Sequence, residues 1–164
     1  MVIREMSEED LGACVDLSHR VRRESWEKYE KEIYPQNLFE EELKRYSEET
    51  LSRFIKSEDS YAFVSVEKSE VVGLALGRVT EGGLLDLSWI CVDPLTQGKG
   101  TGKKLVDKVE GFAKTKGCHK IFAYTFPALV PTVSFYLRCG FVPEAYFRKH
   151  WYGLDFVMLS KLLE

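Results

Sequence analysis

The segment QGKGTGKK, Gln97–Lys104, sets three glycines within five residues between an apolar run, Leu84–Val92, and apolar residues at helical spacing, Leu105, Val106, Val109, Phe112 and Ala113. A glycine-rich turn between a strand and a helix aims backbone N–H groups and the positive end of the helix dipole at one point, so an anion belongs there. Spacing decides among the known phosphate loops. The ATP-binding loop needs a glycine separated by four residues from Gly-Lys and then a hydroxyl for magnesium; here Gln97 and Lys104 stand in those two places. The dinucleotide pattern GxGxxG, started at Gly98, meets Gly100 but reaches Lys103 instead of its third glycine, and no acidic ribose ligand follows a strand at the required distance. What remains is Gln97-x-x-Gly100-x-Gly102. With no magnesium-binding side chain in the motif, a metal-free diphosphate such as that of coenzyme A is favoured over ATP.

The 164 residues suffice for one domain, 1–164, with a core of its own, and 45% hydrophobic with 30% charged residues is the composition of a globular chain. A net charge of −3 argues against a general nucleic-acid binder. Charge is uneven, however. Glu24–Glu49 holds nine Glu against three Lys and Arg45, a local −5, whereas Lys99–Lys120 holds seven Lys against Asp107 and Glu110, a local +5. One region is suited to a cation, the other to an anion. Cys14, Cys91, Cys118 and Cys139 are scattered, with no paired spacing and no His partners, so no metal site is expected and free thiols in a reduced, cytoplasmic setting are. No signal-peptide pattern opens the sequence and no apolar run reaches a membrane span, so no membrane partner is expected.

Periodicity places the elements. Val2–Met6 reads as a strand, and Ser7 followed by three acidic residues as the start of a helix running to about Trp26. After Pro35, the residues Phe39 to Ile55 read as one or two amphipathic helices with Ser47 as a second cap. Tyr61–Val66, Val71–Val79 and Leu84–Val92 form an antiparallel meander; a helix ending near Gly117, a strand Ile121–Phe126, a helix opened by Pro131 and stopped by Gly140, and a closing hairpin, Phe141–Phe147 with Phe156–Leu162, complete the chain. The order βααβββαβαββ is that of a single mixed α/β (α+β) domain with a mostly antiparallel sheet.

The strand Leu84–Val92, then Asp93-Pro94, the Gln97-x-x-Gly100-x-Gly102 loop, a helix, a strand and Phe135-Tyr136-x-x-x-Gly140-Phe141 together resemble the GNAT acetyltransferase superfamily. The resemblance spans the whole topology, and its specific motifs lie in residues 84–141. It implies an N-acetyltransferase that moves acetyl from acetyl-CoA directly to a primary amine in a ternary complex. Backbone groups of Ile90, Cys91 and Val92 would bond the pantetheine arm, and Gln97, Gly98, Lys99, Gly100, Thr101, Gly102 and Lys103 would hold the diphosphate. Tyr136 stands where the family's general acid protonates the departing thiolate; a phenol with a reference pKa of ~10 suits that transfer. Its alternative is simple packing of helix on sheet.

An alkylammonium acceptor must lose a proton before attack. Family members that modify histones use a carboxylate on this strand, and the matching position here is Asp86, which otherwise merely follows the Gly82-Gly83 turn. Where many members carry Asn seven residues before the tyrosine, this chain has Leu129, and Pro127–Pro131 replaces the usual polar lead-in. The acidic, aromatic region of the first helices suits a polyamine or another small cationic amine. A protein N-terminus or lysine as acceptor, or a non-catalytic acyl-CoA-binding module, stays open, and the apolar run Phe156–Leu163 is a candidate surface for a homodimer.

Overall fold

The computed structural model describes residues 1–164. Strands β1 (Val2–Glu5), β2 (Ser60–Glu67), β3 (Glu70–Thr80), β4 (Leu84–Val92), β5 (Lys120–Thr125), β6 (Val142–Phe147) and β7 (Phe156–Leu162) build one sheet in the order β1-β2-β3-β4-β5-β7-β6. Helices α1 (Leu11–Ser25), α2 (Gln36–Leu43) and α3 (Glu48–Lys56) precede β2; α4 (Thr101–Thr115) and α5 (Val130–Arg138) flank β5. The stretch 39–55 is thus two helices, because Ser47 Oγ accepts the Thr50 N–H at 3.2 Å and caps α3 separately from α2. At the start of α1, Asp10 takes the Ser7 N–H at 2.8 Å and both Arg4 Nη groups at 2.6 and 2.8 Å, which ties β1 to the helix.

The apolar stripe of α4, Leu105, Val106, Val109 and Ala113, is wholly buried against Leu85, Leu87, Ile121 and Ala123 on one face of the sheet, with Tyr136 and Phe141 beside it. On the other face α1 and α3 bury Cys14, Leu17 and Leu51 against Val64, Leu74, Leu76 and Cys91. A third cluster joins Tyr34, Phe39 and Leu43 to Phe126, Leu129 and Phe156 at the far end of β5.

One irregularity shapes everything near β4. Leu76 of β3 pairs with Trp89, but Arg78 pairs with Asp86, so β4 carries one extra residue opposite Gly77. This bulge reverses the faces of the strand. Leu85 and Leu87 face α4 before it, Ile90 and Val92 do so after it, and Trp89 and Cys91 turn to α1. Gly77 is obligatory there: a Cβ would stand 1.9 Å from the Asp86 carbonyl oxygen. Just before the bulge the sole parallel pairing ends; Leu84–Asp86 lie beside Lys120–Phe122, and β4 then continues to Val92 with β3 alone while β5 follows β7. The two strands form a fork.

The C-terminal run considered as a dimer surface is strand β7, enclosed between β5 and β6 with Phe156, Leu159 and Ser160 buried. The edge strand on that side of the sheet is β6, which Pro143 and a register shift at Pro143–Ala145 make a poor template for further strands. No helix is long and apolar enough to cross a membrane.

Beyond Ser25 the chain passes through a π-helical turn, Trp26–Glu30, that swings Glu30 onto Arg22. The guanidinium bonds both Glu30 oxygens at 2.6 and 2.7 Å and both Glu42 oxygens at 2.7 and 3.0 Å, with the Glu30 side chain fully buried. Removing one member of such a buried cluster strands the others, at about 3–5 kcal/mol. Arg22→Leu is therefore expected to lower unfolding stability in urea by about that amount, whereas Lys28→Ala, which deletes an exposed pair with Glu24, should leave the urea midpoint unchanged.

Candidate active site

The fork and the glycine loop meet at one end of the sheet. Past Asp86 the backbone of β4 is bonded to β3 on one side only, so the edge of Ile90, Cys91 and Val92 that faces β5 is open to a ligand. Cys91 itself points into the α1 core, where burial pushes its thiol up to about 12, so its backbone rather than its sulfur is the available part. Gln97 Nε2 donates to the Val92 carbonyl at 3.1 Å, fastening the loop to the tip of the strand. Asp93 secures the turn from below: one oxygen accepts the Leu95 N–H at 2.9 Å and the other meets Arg20 Nη1 of α1 at 2.8 Å.

Gly98 and Gly100 both adopt left-handed φ, +80° and +79°, which an L side chain would resist. Gly100 caps α4 without side-chain help, and the N–H groups of Gly98, Lys99, Gly100, Thr101, Gly102 and Lys103 are engaged in no backbone hydrogen bond. These donors and the dipole of a 15-residue helix converge on the mouth of the fork. Lys99 lies 3.9 Å from Glu67 and Lys103 pairs with Asp107. Thr101 is buried, its hydroxyl against the Met1 sulfur at 3.2 Å, so it contributes its N–H alone. A Cβ on Gly102 would meet the Phe135 ring at 2.7 Å. The two sequence motifs thus touch.

That contact sets α5 so that Tyr136 is buried between Phe135 and Phe141, ring centroids 5.4 and 5.2 Å away. Burial first, then the fields of Asp86 and Cys139, raises the Tyr136 phenol, which keeps it protonated at neutral pH. Asp86 lies on the opposite side of β4, within electrostatic reach. Its carboxyl is raised above the ordinary carboxylate value, chiefly by burial, with Ser88 and Arg78 opposing. Tyr61 reaches through the sheet to donate to the Asp86 carbonyl at 3.2 Å. Two titratable groups with raised proton affinities flank the point where the strands part.

The acidic region of α1 and α2 is largely self-neutralised. Glu30 and Glu42 share Arg22; Glu40 meets Arg23, Glu24 meets Lys28, Glu27 meets Lys31 and Glu41 meets Lys44. Aromatic rings are more prominent on that side: Tyr46 and Trp89 lie 4.8 Å apart, and Trp89 shares the Asp86 face of β4. Leu129 belongs to the third apolar cluster, 8% exposed, and offers no polar group to a ligand. The backbone N–H of His119 bonds the Gly83 carbonyl at 2.9 Å, tying the start of β5 to the turn before β4. All four cysteines are buried and free. Sequence reasoning missed Ser88, Arg78, Tyr61 and Gly77, the residues around Asp86; the signal was the alternation of Leu85 and Leu87, which slips to Ile90 and Val92 across Ser88-Trp89.

The profile of the acetyltransferase (GNAT) family matches residues 19–141. The chain belongs to the GNAT family. Among solved GNAT-fold structures, PaiA N-acetyltransferase from Thermoplasma acidophilum in complex with coenzyme A superposes with a TM-score of 0.81 at 26% identity, covering 98% of each chain. The ribosomal-protein-S18-alanine N-acetyltransferase from Escherichia coli superposes at 0.73 with 17% identity, over 99% of this chain and 94% of that one, a likeness of fold. Glucosamine 6-phosphate N-acetyltransferase 1 from Oryza sativa subsp. japonica is 33% identical over 55 residues. This GNAT chain matches 32% of that relative's length through 34% of its own.

Because Leu129 is a core residue in this GNAT chain, Leu129→Asn should strand an amide among Tyr34, Phe39 and Phe126. It is expected to cost about 1–3 kcal/mol in thermal or urea unfolding rather than to improve ligand affinity.

Proposed function

We propose that this GNAT chain takes acetyl from acetyl-CoA laid along the fork and delivers it directly to a primary amine bound on the Asp86 side of β4. The observation that carries the reading is the one-sided pairing of β4 past Asp86, leading to the unpaired N–H run at the head of α4, with Asp86 and Tyr136 on either side. A pantetheine arm would complete the ladder that β5 abandons, and the diphosphate would accept from Gly98–Lys103.

In the reaction Asp86 accepts a proton from the acceptor ammonium, and the freed nitrogen lone pair forms the N–C bond at the thioester carbon. As the C–S bond breaks, Tyr136 gives its phenolic proton to the sulfur, and the second proton lost from nitrogen restores the phenol. One proton leaves to solvent through Asp86, which balances amide plus thiol against ammonium plus thioester.

For the acceptor we favour a small cationic amine such as a polyamine. The aromatic faces of Tyr46 and Trp89 support this more than the glutamates do, since most of those are already paired, although Arg22 with Glu30 and Glu42 retains one excess negative charge.

The test is CoA release from acetyl-CoA across polyamines, aminoglycosides, amino acids and peptides. Tyr136→Phe and Asp86→Asn are each expected to lower kcat by about 10²-fold or more with acetyl-CoA affinity kept; full turnover in both overturns the assignments. CoA binding with no release from any amine, by wild type as well, points to an acyl-CoA-binding module. Gly100→Ala, forced into left-handed φ at roughly 1–2 kcal/mol, should weaken CoA binding about tenfold by calorimetry without altering the pH profile.

A base must be ionised, and burial raises Asp86. Activity is therefore expected to fall as pH drops through a value above the ordinary carboxylate reference of ~3.9. A kcat/KM profile measured with Asp86→Asn in parallel identifies the acid limb by its disappearance.

A further inference from the structure

Gly77 and Tyr61 hold the backbone of Asp86, but its carboxylate has one side-chain hydrogen bond: Ser88 Oγ donates to Oδ2 at 2.7 Å. Residues two apart in a regular strand share a face roughly 6.6 Å apart along the chain. Leu87 and Ser88 are the two β4 residues opposite Gly77, so Ser88 lies in the bulge itself, and the bend and added twist there bring its hydroxyl onto the carboxylate.

We propose that Ser88 is a positioning residue for acetyl transfer: its hydroxyl holds Oδ2 of Asp86 and so presents Oδ1 to the acceptor amine. This rests on Asp86 serving as the base. The charged and titratable groups that face Asp86 are Arg78, directly across on β3; Tyr61 of β2, on the carbonyl; Tyr124 of β5; and Tyr136 of α5. Burial raises the carboxyl, and the Ser88 hydrogen bond is the largest influence against it, ahead of Arg78. Ser88 therefore also limits how far the base is pushed from ionisation, a role that a packing residue would not have.

The first arm is a carboxyl-carbon NMR titration of the free protein labelled at aspartate, with the Asp86 signal assigned by its loss in Asp86→Asn. Ser88→Ala is expected to titrate at higher pH than wild type, and Ser88→Thr, which keeps the hydroxyl, to return towards it. An unchanged Asp86 titration in Ser88→Ala overturns the proposal, and this arm decides without any acceptor.

The second arm follows kcat/KM against pH with an amine from the panel that the wild type acetylates. Ser88→Ala should lower the plateau by about tenfold or more, the worth of one hydrogen bond to a charged group, move the acid limb upward and leave the KM for acetyl-CoA unchanged. If Asp86→Asn is inactive but Ser88→Ala matches wild type, Ser88 is not a positioning residue and the base assignment stands. If Asp86→Asn keeps full activity, the base assignment falls and the proposal with it.

Discussion

The bulge in β4 opposite Gly77 is the constraint on which the rest of this molecule depends. One surplus residue makes the two halves of a nine-residue strand serve different neighbours. Its first half is an ordinary inner strand, paired on both sides. Its second half is paired only to β3 and leaves a row of backbone donors and acceptors open towards β5. Exposed strand edges invite another extended chain, and here the open edge runs straight to the helix N-terminus, where unpaired donors await an anion. The same residue count turns Trp89 to the face that carries Asp86. A single strand thereby offers an open backbone edge on one side and, on its face, a carboxylate beside an indole.

Around this fork, stability is unevenly distributed. Both faces of β2 and β3 are packed by helices, with many side chains wholly inaccessible, while the first half of β4 is packed on the α4 face alone. The acceptor side is held differently. There α1, the π-helical turn and α2 are cross-linked by Arg22, Glu30 and Glu42 and by stacking of Trp26 on Phe39, ring centroids 4.9 Å apart. A buried ionic cluster adds little net stability compared with an apolar one, but it tolerates few alternative arrangements. It suits a wall that has to keep its shape.

Much of this was legible in the sequence, for identifiable reasons. Glycines at left-handed positions and a loop that joins strand to helix have few physical solutions, so the turn at Gln97–Gly102 and the helix it opens could be read from spacing. Strands and the α4 stripe followed from periodicity. The acidic region carries less free charge than Glu24–Glu49 alone suggests, because Arg22 and Arg23, just upstream on α1, pair with Glu30, Glu42 and Glu40. The bulge escaped notice because it is defined by comparison with the partner strand. Within LLDLSWICV it leaves only a slip in alternation, and the roles of Ser88, Gly77 and Tyr61 follow from that slip. Leu129 marks a departure that the sequence displayed and the third cluster explains: a polar family position has been given over to core packing.

The meeting of Gly102 with the Phe135 ring also limits how this sequence can drift. A methyl group at 102 would stand 2.7 Å from the ring, so the helix that carries Tyr136 would have to retreat or the ring would have to shrink. Positions 102 and 135 are therefore sterically linked. A side chain at 102 is accommodated only beside a smaller one at 135, because the two together would displace the helix that carries Tyr136.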